Sequence, residues 1–161
     1  TMDIDGDYIS LEKEIGQMQR YLNIQEVRFG NEINLELDLE DGAEKRKVMK
    51  FMLQPIVENA IEHGMTGKEF PWNLLITARH EGKDMYIVVK DNGTGMDEAA
   101  LERVRKRIYD KTESEEEEAC FNIGLKNIHE RIQLLFTEEY GMKVDSSPEE
   151  GTTVTLHVPW I

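Results

Sequence analysis

The chain has 161 residues, 39% of them hydrophobic, with a formal net charge of −14. That length suits one domain with one core, and the charge sets up a field that repels duplex nucleic acid and anionic membranes. The single cysteine, Cys120, excludes an internal disulfide and fits a reducing compartment; no apolar run is long enough for a bilayer, so the chain is expected to be a soluble piece of a larger protein.

Residues 8–29 predict a helix. Leu11, Ile15, Met18 and Leu22 recur at helical spacing, Ser10 with Lys13-Glu14 offers a weak cap, and Gly30-Asn31 ends it. Ile33, Leu35, Leu37 and Leu39 alternate with polar residues, which predicts a half-buried strand, and Asp41-Gly42 turns. From 44 to about 65 the pattern is helical again, with Met52, Ile56 and Ala60 on one face. Proline is best tolerated in a first turn, so this helix either starts near Pro55 or kinks there, and Gly64 and Gly67 close it.

Trp72, Leu74, Ile76 and Ala78, then Met85, Ile87 and Val89, alternate on either side of Gly82 and predict a hairpin. Residues 97–109 read as a polar helix with Leu101, Val104 and Ile108 on one side. Residues 112–118 are acidic and apolar-poor, and expected to be mobile. A strong helix follows over 123–136, with Leu125, Ile128, Ile132 and Leu135 inward. Met142 and Val144 begin a strand, 146–151 turns, and Val154, Leu156 and Val158 form the last strand. The order predicts an α/β, two-layer sandwich: a mixed, mostly antiparallel sheet covered on one face by helices.

Asn59 and His63 stand one helical turn apart and share a face. Asn is a poor interior helix former, and its amide oxygen is a hard neutral ligand suited to Mg²⁺ shared with phosphates and water; alone, it reads more simply as a solvated polar residue. Asp91 shares strand parity with Met85, Ile87 and Val89, so a carboxylate continues an apolar stripe and needs a partner. The exocyclic amine of adenine would be one, worth about 1.5–3 kcal/mol; Asp91 also reads as the opener of an Asp-Asn-Gly turn. Gly93 and Gly95 permit positive φ and close approach of backbone to a ligand. Gly124, ahead of Leu125-Lys126, either aims helix N–H groups and Lys126 at phosphates or simply starts a helix. Thr152 lies on the core side of its strand, where a backbone or water partner would also satisfy it. Met96 either packs on a base or is plain core.

In this order the residues resemble the nucleotide pocket of the GHKL (Bergerat-type) ATPase/kinase superfamily. Asn59 stands at the N box, Asp91-Asn92-Gly93-Thr94-Gly95 at the G1 box, 97–122 at the lid, Asn122-Ile123-Gly124-Leu125 at the G2 box, and Gly151-Thr152-Thr153 at the closing Gly-Thr motif. The resemblance implies ATP and Mg²⁺ as cofactors, Asn59 as the metal ligand, and a pocket of Asn59, His63, Asp91, Gly93, Gly95, Met96, Gly124, Leu125, Lys126 and Thr152.

Leu11-Glu12-Lys13-Glu14, Tyr21-Leu22-Asn23-Ile24-Gln25, Arg28-Phe29-Gly30, Gln54-Pro55-Ile56-Val57-Glu58-Asn59-Ala60 with His63-Gly64, and Gly124-Leu125-Lys126-Asn127-Ile128 with Arg131 are similar to LytS/YesM-type sensor histidine kinases. This implies that 1–30 ends the helical segment preceding the ATPase domain and that 31–161 is the catalytic domain, with its lid at about 97–122. It also implies a phosphoacceptor histidine on a helical domain, a response regulator beyond it, and a homodimeric, membrane-anchored parent with this part cytoplasmic. The fragment itself is expected to be monomeric and not to bind nucleic acid.

Three departures stand out. Asn122 replaces the first glycine of the G2 box, and Glu62 stands where related kinases carry a basic residue. None of His63, His80, His129 and His157 matches the phosphoacceptor motif. Hydrolytic relatives carry a glutamate four residues before the Asn; here that residue is Pro55, which cannot act as a base. Three other readings stand beside it: a serine kinase of the anti-sigma type, which shares the pocket; a degenerate module that binds partners and no longer ATP; and a GHKL hydrolase, which Pro55 disfavours.

Overall fold

The computed structural model describes residues 4–111 and 123–161. The acidic stretch at 112–118, Asn122 and Cys120 therefore lie outside the described residues, as does the later part of the expected lid.

A short helix α1 (Ile4–Asp7) leads into β1 (Tyr8–Ser10), which pairs antiparallel with β3 (Lys47–Met49). The helix expected from residue 8 thus begins later, as α2 (Leu11–Phe29). Ser10 is extended at its N-cap and accepts from the Lys13 N–H at 3.2 Å, which switches the chain from strand to helix. Gly30 closes α2 in the left-handed conformation, its N–H donating to Glu26 O.

β2 (Ile33–Leu39) follows as an outer strand. Its alternation is there, yet only Ile33 is buried and Leu37 is exposed, because an edge strand has one neighbour to cover it.

The continuous helical pattern expected from residue 44 is not what forms. Residues Ala43–Lys45 make a 3₁₀ turn, β3 pairs with β1, and a tight turn precedes α3 (Gln54–Asn59). Pro55 sits in the first turn of α3, where its missing N–H is no loss. The helix continues as a π-helical turn over Ala60–Gly64, closed by Met65 N–H to Ala60 O at 2.8 Å.

β4 (Trp72–Glu81) and β5 (Asp84–Asp91) form the expected hairpin. α4 (Glu98–Tyr109) is capped by the Asp97 carboxylate accepting from Ala100 N–H. α5 (Ile123–Leu135), β6 (Gly141–Ser147) and β7 (Gly151–Pro159) complete the chain.

The main sheet runs β2-β4-β5-β7-β6, parallel only between β2 and β4. It is the mixed, mostly antiparallel sheet of the sequence reading. Ile76, Val89, Val154 and Val144 lie in register across four strands and face the helices. Against them pack Leu11, Ile15, Met18 and Leu22 of α2, Ile56 and Val57 of α3, Leu101, Val104 and Ile108 of α4, and Leu125, Ile128 and Ile132 of α5. Burying each such side chain contributes roughly 1.5–3 kcal/mol. The other sheet face carries Thr77, Tyr86, Val88, Thr155 and His157, none of them fully buried.

Candidate functional site

The site lies where β5 runs out beneath α3. Asp91, the last residue of β5, follows Val89 on the inward face and is only 6% exposed. Its Oδ1 accepts from Gly93 N–H at 2.8 Å and from Thr152 N–H at 3.1 Å. Among the described residues Oδ2 takes no hydrogen bond, on a side chain that lines a cleft. Burial pushes the Asp91 carboxyl above the ordinary range, opposed by the two backbone N–H groups and by the charge of Lys68.

Glycines let three backbone segments meet around this carboxylate. A Cβ on Gly93 would fall 2.2 Å from Gly64 O and 2.9 Å from Asp91 Oδ1. Gly93 does not adopt positive φ, so it is required for close approach of backbone to backbone and not, as the sequence suggests, for a left-handed φ or a ligand. Gly95 does adopt φ +69°, and a Cβ there would fall 1.9 Å from Ser147 O. Thr94 joins the segments, donating its N–H to Gly64 O and accepting from Glu149 N–H, each at 2.7 Å.

Ser146 is the hub of the far side. Its hydroxyl donates to Gly151 O at 2.8 Å and accepts from Met96 N–H at 2.9 Å. It also lies 3.0 Å from Thr152 Oγ1. A hydroxyl has one proton, and that of Ser146 is committed to a carbonyl, so Thr152 is the donor of this pair. Thr152 therefore gives Asp91 its backbone N–H while its hydroxyl oxygen keeps acceptor capacity. From sequence Ser146 reads as a turn residue, although it shares strand parity with Met142 and Val144; it lies in β6.

Asn59 and His63 line the cleft from above. Asn59 Nδ2 is buried without a hydrogen-bond partner, and nothing among the described residues bonds the Oδ1 of the same amide. A wholly unpartnered amide at a cleft wall fits a ligand-facing role. The donor set also fits Mg²⁺, which takes few protein ligands and completes its shell with phosphate oxygens and water. The described residues hold no cluster of three or more His, Cys, Asp or Glu suited to a metal. Partial burial lowers the His63 imidazole below its ordinary value, against the charge of Glu62. The π turn brings Gly64 to within ordinary contact of the Asp91 carboxylate, a Cβ there lying 3.5 Å from both oxygens.

Glu62 does not line this cleft. It turns to α2, where its Oε1 accepts from Arg28 Nη1 at 2.7 Å, so the repulsion read from its position is drawn away from the site.

Met96, Gly95, Leu125 and Thr152 line the cleft, with Ile56, Val89, Val104, Val144 and Val154 as its apolar base. Of the expected pocket residues, Gly93 lies beneath the surface, and Gly124 packs against Pro55, a Cβ there lying 3.5 Å away. Lys126 is not in the lining; its Nζ runs along α5 to 3.9 Å from Glu130 Oε1. The cleft has about 590 Å³ of empty space, open solvent included, of which about 70 Å³ takes the centre of a water-sized sphere. A buried acceptor at the floor, an apolar wall and an unpartnered amide near the first turn of α5 can together hold a base at one end and an anion with its cation at the other.

Residues 44–160 match the family of histidine kinase-, DNA gyrase B- and HSP90-like ATPases. The chain is 33% identical over 159 residues to the sensor histidine kinase YesM of Bacillus subtilis, covering 99% of this chain and 25% of that protein. It is 30% identical over 151 residues to the sensor protein LytS of Bacillus anthracis, covering 94% of this chain and 25% of that protein. The chain thus spans about a quarter of the length of these relatives. In fold it is similar to the histidine kinase domain of a blue-light-activated histidine kinase from Erythrobacter litoralis, with a TM-score of 0.60, 13% identity, and coverage of 94% of this chain and 62% of that one.

Proposed function

From the chain's membership of the family of histidine kinase-, DNA gyrase B- and HSP90-like ATPases, we propose that it is the catalytic ATP-binding domain of a LytS/YesM-type sensor histidine kinase. The observation that carries this reading is Asp91, buried at the cleft floor with Oδ1 satisfied by backbone and Oδ2 left to a ligand. A donor is what that oxygen lacks. The 6-amino group of adenine supplies one, and the 6-carbonyl of guanine does not.

Thr152 accepts from the base edge or from a water beside it, Met96 and the apolar base bury the ring, and Asn59 holds Mg²⁺ at the phosphate end. A Mg²⁺ held there would neutralise phosphate charge during phosphoryl transfer. The first turn of α5, from Gly124 and Leu125, supplies N–H groups to the phosphates. We extend the proposal to residues 1–30 as the end of the preceding helical segment and 31–161 as the catalytic domain. The phosphoacceptor is then a histidine on a helical domain outside this chain, with a response regulator after it, in a homodimeric and membrane-anchored parent. Among the described residues, no helix is long and apolar enough to cross a membrane. Alone, the chain is expected to be a monomer.

Calorimetric titration with ATP and Mg²⁺ tests the reading. Saturable binding by the wild type, absent with GTP and weakened in Asp91→Asn by roughly 10- to 150-fold, is expected from the loss of one charge-assisted hydrogen bond. Absence of binding at millimolar ATP would remove the kinase reading in favour of an interaction module.

A further inference from the structure

Glu14 lies on the inward face of α2 and is 1% exposed. A carboxyl group so placed needs partners, and it has two. Oε1 accepts from Leu53 N–H at 3.0 Å and Oε2 from Phe51 N–H at 3.1 Å. Leu53 is the N-cap residue of α3 and has no side chain able to cap it. The cap is therefore delivered from another helix, and the acid sits at the positive end of the α3 dipole. Phe51 reaches its bond at φ +60°, a conformation unfavourable for a residue with a Cβ. The same turn is held from its other side by Asp7 O, which accepts from Lys50 N–H, and by Arg131, whose Nη2 donates to Lys50 O at 3.2 Å.

The far end of the same helix is tied to α2 as well. Arg28 Nη1 donates to Glu62 Oε1 in the π turn and to Gln25 Oε1, and Gln25 is itself buried. Residues 54–64 extend about 16 Å at helical rise. One link would let this helix pivot; two links that far apart fix both its position and its tilt. Asn59 lies between them.

We propose that Glu14 is the positioning residue of the nucleotide helix, and that α2 grips that helix at both ends so that a displacement of α2 is read as a change in Mg·ATP affinity. This inference rests on the nucleotide-site reading and assigns that site its regulatory input. Glu14 touches no ligand. It acts by holding the backbone of 51–53, hence the start of α3 and the place of Asn59.

The test compares the wild type with Glu14→Gln, Glu14→Asp and Arg28→Met by amide hydrogen exchange, urea unfolding and calorimetric titration with Mg·ATP. Gln keeps one acceptor and turns an NH₂ group toward a backbone N–H. Exchange over 51–61 is expected to rise at least tenfold while the central strands β4, β5 and β7 stay protected, with Mg·ATP affinity at least tenfold lower. Asp keeps both oxygens and is expected to recover part of the affinity. Arg28→Met is expected to loosen 60–64 with a smaller loss, because its ion pair is half exposed.

Unchanged exchange at 51–61 in Glu14→Gln overturns the inference, and so does affinity within twofold of wild type once that segment has loosened. A uniform loss of protection in step with global stability makes Glu14 merely structural and overturns it too. Should Glu14→Gln fail to fold, Glu14→Asp is judged by the same criteria over 51–61, and Arg28→Met by exchange over 60–64, where no change overturns the inference. Wild-type protein that binds no ATP instead removes the functional reading beneath it.

Discussion

A carboxyl group that is almost fully buried and bonded through only one of its oxygens is held in the fold at a cost. Burial raises the Asp91 pKa above its unfolded value, so folding favours the protonated form, and the cost of charging it is present at neutral pH. Asp91→Asn keeps the acceptor for Gly93 and Thr152 and removes the charge. It is expected to be at least as stable as the wild type in urea unfolding at pH 7 while binding Mg·ATP less tightly, and a stability loss would mean that the charge serves the fold. Acidification is expected to weaken ATP binding from a higher pH than an ordinary carboxylate would, because protonation removes the acceptor. Gly93 answers to sterics alone. Gly93→Ala forces a methyl to 2.2 Å from Gly64 O, and a loss of about 1–3 kcal/mol is expected from the urea midpoint.

At the scale of elements, the hairpin end opposite the site is braced by side chains. Asp84 accepts from Tyr140 Oη–H at 2.8 Å and pairs with His157 Nε2 at 2.8 Å, and His157 stacks on Tyr86. The hydrogen bond to His157 is the leading cause holding the Asp84 carboxyl below its ordinary value, and the bond to Asp84 is the leading cause pushing Tyr140 up to about 12. A carboxyl group with a depressed folded pKa contributes stability above its unfolded value, near 4, and loses it as pH falls through the folded value. For Tyr140 the sign reverses: its contribution is full below pH 10 and is lost as pH rises toward about 12. Both limbs of the pH–stability curve are expected to flatten in Asp84→Asn, measured as urea midpoints from pH 3 to 12. Parallel curves for the two proteins would leave the brace without energetic weight.

For the whole molecule, the question is what the domain does with ATP once bound. Pro55 stands one turn before Asn59 and offers no base, while Glu58 is engaged by Gln54 Nε2 at 3.0 Å. Pro55 thus leaves the position one turn before Asn59 without a base, and transfer to an imidazole needs positioning more than base catalysis. ATP turnover by the chain alone is expected to stay at background in a phosphate-release assay. Adding a separately produced helical domain bearing the phosphoacceptor histidine is expected to yield acid-labile phosphohistidine. Robust hydrolysis without the added domain would point instead to an ATPase.

Much of this is legible in the sequence, because the relevant signals are local. The parity of Met85, Ile87, Val89 and Asp91 puts an acid on a core face, Ser10 and Gly30 bound a helix, and Asp-x-Gly-x-Gly marks the turn. Pro55 marks the start of α3 in the sequence, but the strand within 44–53 is not legible there, since it exists only through pairing with β1. The roles of Ser146, Gly93 and Glu14 depend on segments distant in the chain. Ser146 meets Met96, Gly93 meets the carbonyl of Gly64, and Glu14 caps a helix whose own N-cap is Leu53. Lys126 carried the right charge in the right motif, yet it lies along α5 beside Glu130. Periodicity and composition determine which face of each element is apolar, and so the layers and the site's location. Which backbone groups lie within bonding distance across the chain is decided only when those layers close.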